Sequence, residues 1–170
     1  MDLVKAKEIL EVIEQLDSNS KESILKALNL AEHVEKTAGE FYKTEVEKTK
    51  GNELEAFFTF MVKEEDMHLA KIQELKSQIK NGGEVTKIGF QQNAAPEIHS
   101  ISAGQEEMTA ILYALWREKK AQDFYEKAAA RTEGNVRVFF EELAVFERGH
   151  VELLEHYVEM MQNADELIMG

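Results

Sequence analysis

The feature that most constrains this chain is an internal repeat, in which a two-helix pattern of the first half returns in the second. Each copy contains a glutamate, a Phe-Tyr pair, a Gly-Asn pair and a Glu-x-x-His motif, in that order. The first copy consists of Glu35, Phe41-Tyr42, Gly51-Asn52 and Glu65–His68, and the second of Glu118, Phe124-Tyr125, Gly134-Asn135 and Glu147–His150. A repeated pair of helices predicts two similar hairpins that bury their apolar faces against each other.

Apolar residues recur at helical spacing through both copies, and turn residues separate the predicted helices. The pattern predicts one domain over residues 1–170, with a short helix within 1–17 and a first helical hairpin over 21–80. A long connection follows over 84–101, where Pro96 stands and no helical period is present, and a second hairpin spans 103–164. Two antiparallel hairpins joined by one long crossover predict an all-α fold, the ferritin-like version of the four-helix bundle.

Local signals indicate how some of these helices begin. The segment 17–20 breaks the N-terminal helix and offers an N-cap for the first hairpin, and Ser102 with Gln105 matches a capping box for the second. The N-terminal helix is predicted to be amphipathic, with one apolar side formed by Leu3, Ala6, Ile9, Leu10, Ile13 and Leu16.

Glutamate and histidine residues occupy positions on the apolar stripes of the four long helices. A Glu-x-x-His motif alone is weak evidence in a chain with 33 acidic residues. However, residues three apart share a helix face, and the face that carries Glu65 and His68 is otherwise formed by Phe58, Met61 and Ile72. A buried carboxylate is costly unless it is paired, protonated or bound to metal.

The stripe positions predict a site for two divalent metal ions inside the bundle, formed by Glu35, Glu65, His68, Glu118, Glu147 and His150. Neighbouring lysines mostly lie off the stripe, which disfavours the alternatives of a buried ion-pair network or a partly exposed cleft. Two divalent cations would balance four ionised carboxylates. We expect Glu35 and Glu118 to be terminal ligands, Glu65 and Glu147 to bridge, and one histidine to bind each metal. Carboxylates with one imidazole per metal suit iron or manganese, and zinc is also compatible.

Charge and composition exclude several other classes of protein. The net charge of −13 disfavours binding to nucleic acids and to anionic membrane surfaces. The absence of cysteine excludes disulfides, iron–sulfur clusters and thiol nucleophiles. The longest apolar run, Ala110–Trp116, is far shorter than a membrane span, and the charged N-terminus has no secretory pattern. We therefore expect a soluble cytoplasmic protein.

At these motifs the chain resembles the rubrerythrin-like branch of the ferritin-like superfamily, over about residues 24–160. The resemblance rests on the glutamate seven residues before a tyrosine in each half, and on the two Glu-x-x-His motifs. It implies a non-haem di-iron site that reacts with hydrogen peroxide or O₂. It also implies that Tyr42 and Tyr125 hydrogen-bond to ligand carboxylates. Their alternative role is that of core aromatic residues with their hydroxyls satisfied elsewhere.

Two departures from the family pattern modify this expectation. Rubrerythrins usually carry a four-cysteine rubredoxin domain, and this sequence has no cysteine, so an external donor is expected to supply electrons. Many members also have a glutamate one turn after the ligand at Glu118, and here that position is Ala121. We therefore expect His68 to stay bound to its metal rather than to be exchanged for a carboxylate.

The sequence leaves several functions open. The first is an oxidative-stress oxidoreductase that reduces peroxide or O₂, the second a ferroxidase or iron-handling protein, and the third a non-catalytic helical binding module. A di-iron hydroxylase is a further alternative, but nothing in the sequence marks a substrate channel. We expect a homodimer rather than a cage, to which residues 1–17 and the crossover could contribute contacts. The sequence does not identify the native metal or the electron donor.

Overall fold

The computed structural model describes residues 3–91, 93–97, 101 and 104–169, and within these ranges it describes side chains from residue 9 to residue 163. Its helices are α1 (Leu3–Glu14), α2 (Lys21–Lys48), α3 (Leu54–Asn81), α4 (Gln105–Ala130) and α5 (Gly134–Met169). Most contacts between helices join α2 to α3 and α4 to α5, which are the two hairpins. This arrangement confirms the predicted all-α, ferritin-like four-helix bundle with an additional N-terminal helix.

Turns and caps set the helix ends. The Ser20 hydroxyl accepts the backbone N–H of Ser23 at 3.2 Å, which satisfies a free donor in the first turn of α2. Gly51 lies in the first hairpin turn, and Gly134 begins α5 directly after the second turn. Their φ angles of 84° and 57° lie in the left-handed region that glycine adopts without strain. The hairpins can therefore reverse direction within a few residues.

The predicted capping box at the start of α4 is wrong. Gly104 is the N-cap residue, and its backbone N–H donates to the Glu107 carboxylate at 3.1 Å. Gln105 is the first helical residue, and Ser102 lies outside the described residues. The acidic run Glu106-Glu107 offers a carboxylate that reaches back from the first turn, where the helix dipole also favours negative charge.

The N-terminal helix α1 lies against the bundle through its C-terminal part. Ile13 and Leu16 are buried in the core, while Leu10 is 51% exposed, so the predicted apolar side included one solvent-facing residue. Ile9 and Ile13 lie on one face of α1, and Leu10 is rotated away from that face. Leu16 follows the end of the helix at Glu14. Among the described residues, no helix combines the length and the apolar character needed to cross a membrane.

The core consists of two apolar clusters at different levels along the bundle. The first apolar cluster includes Ile24, Leu28, Ala31, Ile72, Leu75, Phe124, Phe139 and Phe140. The second apolar cluster includes Ala38, Tyr42, Phe57, Phe58, Met61, Ile111, Ala114, Leu154 and Tyr157. Each of the four long helices contributes to both clusters, and in each helix the predicted metal-binding residues lie between the two contributions. The predicted site is therefore enclosed by apolar side chains on both sides.

The crossover between the hairpins runs along the bundle without regular secondary structure in its described residues. Ile88 is buried in the first apolar cluster, and Ile101 is buried in the second. Between these two anchors, Asn93 donates a hydrogen bond to the carboxylate of Glu64 on α3. The crossover therefore passes the level of the predicted site on its way from one cluster to the other.

Candidate metal centre

The six residues predicted to bind metal converge in one buried layer, which we call the polar layer: Glu35, Glu65, His68, Glu118, Glu147 and His150. The helices α2 and α4 contribute one glutamate each, and α3 and α5 contribute one Glu-x-x-His pair each. Every one of these residues is at most 3% exposed. The stripe positions therefore do point inward, and the two halves of the repeat meet at their matching residues.

The distances within the polar layer define two overlapping groups of ligand atoms. Glu35, Glu65 and His68 form one group, and Glu65, Glu118, Glu147 and His150 form the other, with the ligand atoms of each group within 4.8 Å of one another. Glu65 belongs to both groups. A carboxylate shared by two groups is positioned to bridge two metal ions.

The two oxygens of Glu147 face different histidines. Glu147 Oε1 lies 3.2 Å from His68 Nδ1, and Glu147 Oε2 lies 3.5 Å from His150 Nδ1. The same Nδ1 atoms approach the terminal glutamates, with His68 at 3.4 Å from Glu35 Oε2 and His150 at 3.1 Å from Glu118 Oε2. Nδ1 of His68 therefore faces Glu35 and Glu147, and Nδ1 of His150 faces Glu118 and Glu147.

Several polar atoms of the layer have no hydrogen-bond partner among the described residues. They are Glu65 Oε1, both oxygens of Glu147 and both ring nitrogens of His68. Buried polar groups normally have partners, because leaving one unpaired costs about 1–3 kcal/mol. Among the ion pairs of the described side chains, no lysine or arginine pairs with the four carboxylates of the layer. The donor set therefore fits two divalent cations, whose coordination would satisfy these atoms.

Protonation balances part of the charge in the metal-free layer. Burial and the charges of Glu118 and Glu35 raise the pKa of Glu147 to about 7, and burial with the Glu35 charge raises the pKa of Glu65 well above its usual range. Burial also opposes ionisation of Glu118, but hydrogen bonds from its neighbours, His150 first, outweigh it and hold its pKa at about 2. Metal ions must therefore displace protons from this layer.

The histidines of the layer hold protons more tightly than free imidazole. Burial alone would lower the pKa of His68, but the carboxylates of Glu147 and Glu35 raise it to about 9. The pKa of His150 is raised well above its usual value against the same effect of burial, by contacts with Glu118, Glu147 and Glu64. Both imidazoles lie where carboxylates stabilise a positive charge, which is the position a cation would take.

Two buried tyrosines donate hydrogen bonds to Glu35 and Glu118. Tyr42 donates its hydroxyl hydrogen to Glu118 Oε1 at 2.5 Å, and Tyr125 donates to Glu35 Oε1. Each tyrosine thus bonds to the glutamate of the opposite half of the repeat. Burial and the adjacent carboxylate raise the pKa of both tyrosines well above the usual value, so both hydroxyls keep their protons. Such hydrogen bonds fix the orientation of a carboxylate ligand.

Replacing Tyr42 with phenylalanine is expected to destabilise the metal-free protein by about 1.5–3 kcal/mol, because Glu118 loses a hydrogen bond to a charged group. Urea unfolding of the metal-free protein measures the change. Tyr157→Phe is the matched control, because Tyr157 is equally buried and its hydroxyl has no hydrogen-bond partner among the described residues. Equal losses of stability in the two variants would contradict a specific role for the Tyr42 hydroxyl.

Sequence reasoning missed Glu64, which adjoins the polar layer. Glu64 is 2% exposed, and its Oε2 atom lies 3.5 Å from His150 Nε2. One signal was present in the repeat, because Glu64 occupies the position that matches Phe146 in the second half. A carboxylate at the position that an aromatic residue occupies in the other half is a candidate for burial.

The remaining histidines do not enter the polar layer. His33 and His156 are exposed. His99 lies outside the described residues. Ala121, the position where a further family glutamate would stand, is buried in the first apolar cluster and offers no ligand atom.

The model of the rubrerythrin family matches residues 7–158 of the chain. No curated protein and no solved structure matches significantly. The matched residues include all six members of the polar layer, both tyrosines and Glu64.

Proposed function

The chain belongs to the rubrerythrin family, and on that premise we propose that it binds two iron ions in the polar layer and reduces hydrogen peroxide or O₂. The electrons would come from a donor outside these 170 residues, which contain no cysteine to hold an iron–sulfur centre. Two bound ferrous ions would supply two electrons, which together with two protons reduce one hydrogen peroxide to two waters.

The observation that carries this proposal is the set of unpaired carboxylate oxygens between the two histidines. Glu65 lies in both ligand groups, and Glu147 turns one oxygen toward each histidine. In the proposed site Glu65 and Glu147 would each contribute to holding both metals, while Glu35 and Glu118 would each hold one. Four carboxylates with one imidazole per metal form a hard donor set, which favours iron or manganese over copper.

The surrounding residues orient the ligands and exclude water. Tyr42 and Tyr125 hold Glu118 and Glu35 by hydrogen bonds from the opposite hairpin. The two apolar clusters cover the layer on both sides, with Phe58 and Phe140 fully buried. A dry, enclosed site strengthens electrostatic interactions between metal and ligands and limits side reactions with solvent.

The absence of a carboxylate at Ala121 bears on the mechanism of this chain. No ligand atom is available there to replace an imidazole when the charge of the site changes. His68 is fully buried, between the carboxylates of Glu35 and Glu147 on one side and the ring of Phe146 on another. In the proposed site His68 therefore keeps its place in both redox states.

A ferroxidase is the second candidate function. The net charge of −13 favours this reading, because an acidic protein raises the local concentration of ferrous ions. Both functions use the same ligands and differ in the oxidant and in the fate of the iron. A homodimer and a cytoplasmic location remain predictions.

Anaerobic loading with ferrous iron tests the proposal. We expect two iron ions per chain and a new near-ultraviolet and visible absorption after oxidation. Stopped-flow mixing with equal concentrations of hydrogen peroxide and O₂ then compares the oxidants. A faster reaction with peroxide, reversed by an added reductant, supports the reductase, whereas a faster reaction with O₂ and release of ferric iron supports the ferroxidase. Loading of no iron would contradict both functions.

A further inference from the structure

The two histidines of the polar layer have different surroundings despite their matching positions in the repeat. The His68 ring faces Phe146 and Phe90, with ring centroids 5.4 Å and 6.3 Å apart, and its Nε2 atom has no hydrogen-bond partner among the described residues. The His150 ring instead has its Nε2 atom 3.5 Å from Glu64 Oε2. Since Glu64 matches Phe146 in the repeat, one half has a carboxylate where the other has a phenyl ring.

The orientation of both imidazoles shows which ring nitrogen faces the proposed metal positions and which points away from them. Nδ1 of each histidine approaches the carboxylates of the polar layer, so Nδ1 is the atom that faces the metal positions. Nε2 is then the protonated nitrogen that points away from the metals. At His150 this nitrogen lies 3.5 Å from a carboxylate oxygen of Glu64, whereas at His68 it has no hydrogen-bond partner among the described residues. A carboxylate on the second nitrogen fixes the tautomer of a metal-binding histidine and makes it a stronger ligand.

Glu64 is itself held in place from the crossover. Asn93 donates from its side-chain amide to Glu64 Oε1, which leaves Oε2 directed toward His150. Asn93 lies between Ile88 and Ile101, which anchor the crossover in the two apolar clusters. The crossover therefore supports Glu64 from outside the four-helix bundle, and the chain of contacts runs from Asn93 through Glu64 to His150.

We propose that Glu64 is a positioning residue that accepts the Nε2–H of His150 and makes the two metal positions unequal, with tighter binding on the His150 side. This inference rests on the proposed function, because it requires that the polar layer binds two metals. A different role is also sterically available, since Glu64, His68 and His150 place ligand atoms within 4.8 Å of one another. In that role Glu64 would bind a third ion directly, and the experiment distinguishes the two roles.

Calorimetric titration of the metal-free protein with Zn²⁺ tests the inference without reliance on activity. We expect the wild-type chain to bind two Zn²⁺ with different dissociation constants. Glu64→Leu is expected to weaken the tighter of the two by roughly 10- to 100-fold and to leave the other unchanged. Glu64→Gln, which keeps an acceptor oxygen and the side-chain volume, is expected to show a smaller loss and provides the test if Glu64→Leu does not fold.

Phe146→Leu is the matched control, because it changes the corresponding position of the other half. This variant has no acceptor to lose, so both dissociation constants are expected to stay at the wild-type values. Nitrogen-edited NMR of the Zn²⁺-loaded protein gives a second readout, in which the His150 Nε2 proton resonates downfield in the wild type and moves upfield in Glu64→Leu.

The outcomes separate this inference from the proposed function. Wild-type binding of two Zn²⁺ with no change in either constant in Glu64→Leu would overturn the positioning role alone. Binding of a third Zn²⁺ that is lost in Glu64→Leu would overturn it in favour of a direct ligand. A wild-type chain that binds no Zn²⁺ and no Fe²⁺ would overturn the proposed function itself.

Discussion

Glu147→Ala is expected to reduce bound metal from two ions per chain to one or none. Glu147 turns Oε1 toward His68 and Oε2 toward His150, so the substitution would remove a ligand from both proposed metal positions at once. Each position also loses negative charge that offsets the charge of the cation. Metal analysis after anaerobic loading with Fe²⁺ and removal of unbound ions measures the stoichiometry.

Glu45→Ala is the matched control for Glu147→Ala. Glu45 is also a buried glutamate, but it lies outside the polar layer and pairs with Lys48 at 2.7 Å. Its loss is expected to leave two metal ions per chain, although the fold loses an ion pair. Two ions retained in Glu147→Ala would mean that Glu147 does not bridge, and loss of metal in both variants would indicate general destabilisation.

Removal of metal is expected to lower the melting temperature on the order of 20 °C. A ligand that binds only the folded state stabilises it by about 4 kcal/mol when the free ligand concentration is a thousand times the dissociation constant. Two such sites double this contribution. For a domain of this size, about 1 kcal/mol shifts the melting temperature by roughly 2–4 °C. Without metal, Glu65 Oε1 and both oxygens of Glu147 have no hydrogen-bond partner among the described residues, and this contributes to the loss.

Calorimetric melting with and without a chelator measures this effect. The double variant Glu65→Ala/Glu147→Ala provides the control, because it lacks both proposed bridging ligands and should melt at the same temperature in both conditions. An unchanged melting temperature of the wild type, after metal analysis shows that the metal is gone, would count against a metal site in the polar layer.

Much of the architecture was predictable from the sequence, because it depends on properties of single helices. The helical period of the apolar residues located the four long helices, and the repeat predicted their pairing into two hairpins. Both the ferritin-like fold and the rubrerythrin family are confirmed. The capping box at Ser102 failed for a local reason, since several residues near 102–107 can cap a helix and only the backbone geometry selects Gly104 with Glu107.

The sequence predicted which six residues form the candidate site, but not which atoms of these residues contact one another. The six stripe residues are brought together within the polar layer, because each belongs to the inward face of its own helix. Glu64 was missed because its partners, His150 and Asn93, lie 86 and 29 residues away along the chain. The tyrosine pairing was likewise hidden, since Tyr42 bonds to Glu118 of the other hairpin.

The sequence by itself determined the helices, their order and the set of residues that face the core. Helical periodicity depends only on residues three or four positions apart, so it can be recognised along the chain. Only the tertiary structure decided that Glu147 stands between the two histidines and that each tyrosine donates to the glutamate of the opposite hairpin. It also decided that Glu64 lies at hydrogen-bond distance from His150 Nε2, whereas Nε2 of His68 has no hydrogen-bond partner among the described residues. These contacts depend on the rotation and axial alignment of whole helices. Packing of the two apolar clusters sets that alignment, and no local pattern encodes it.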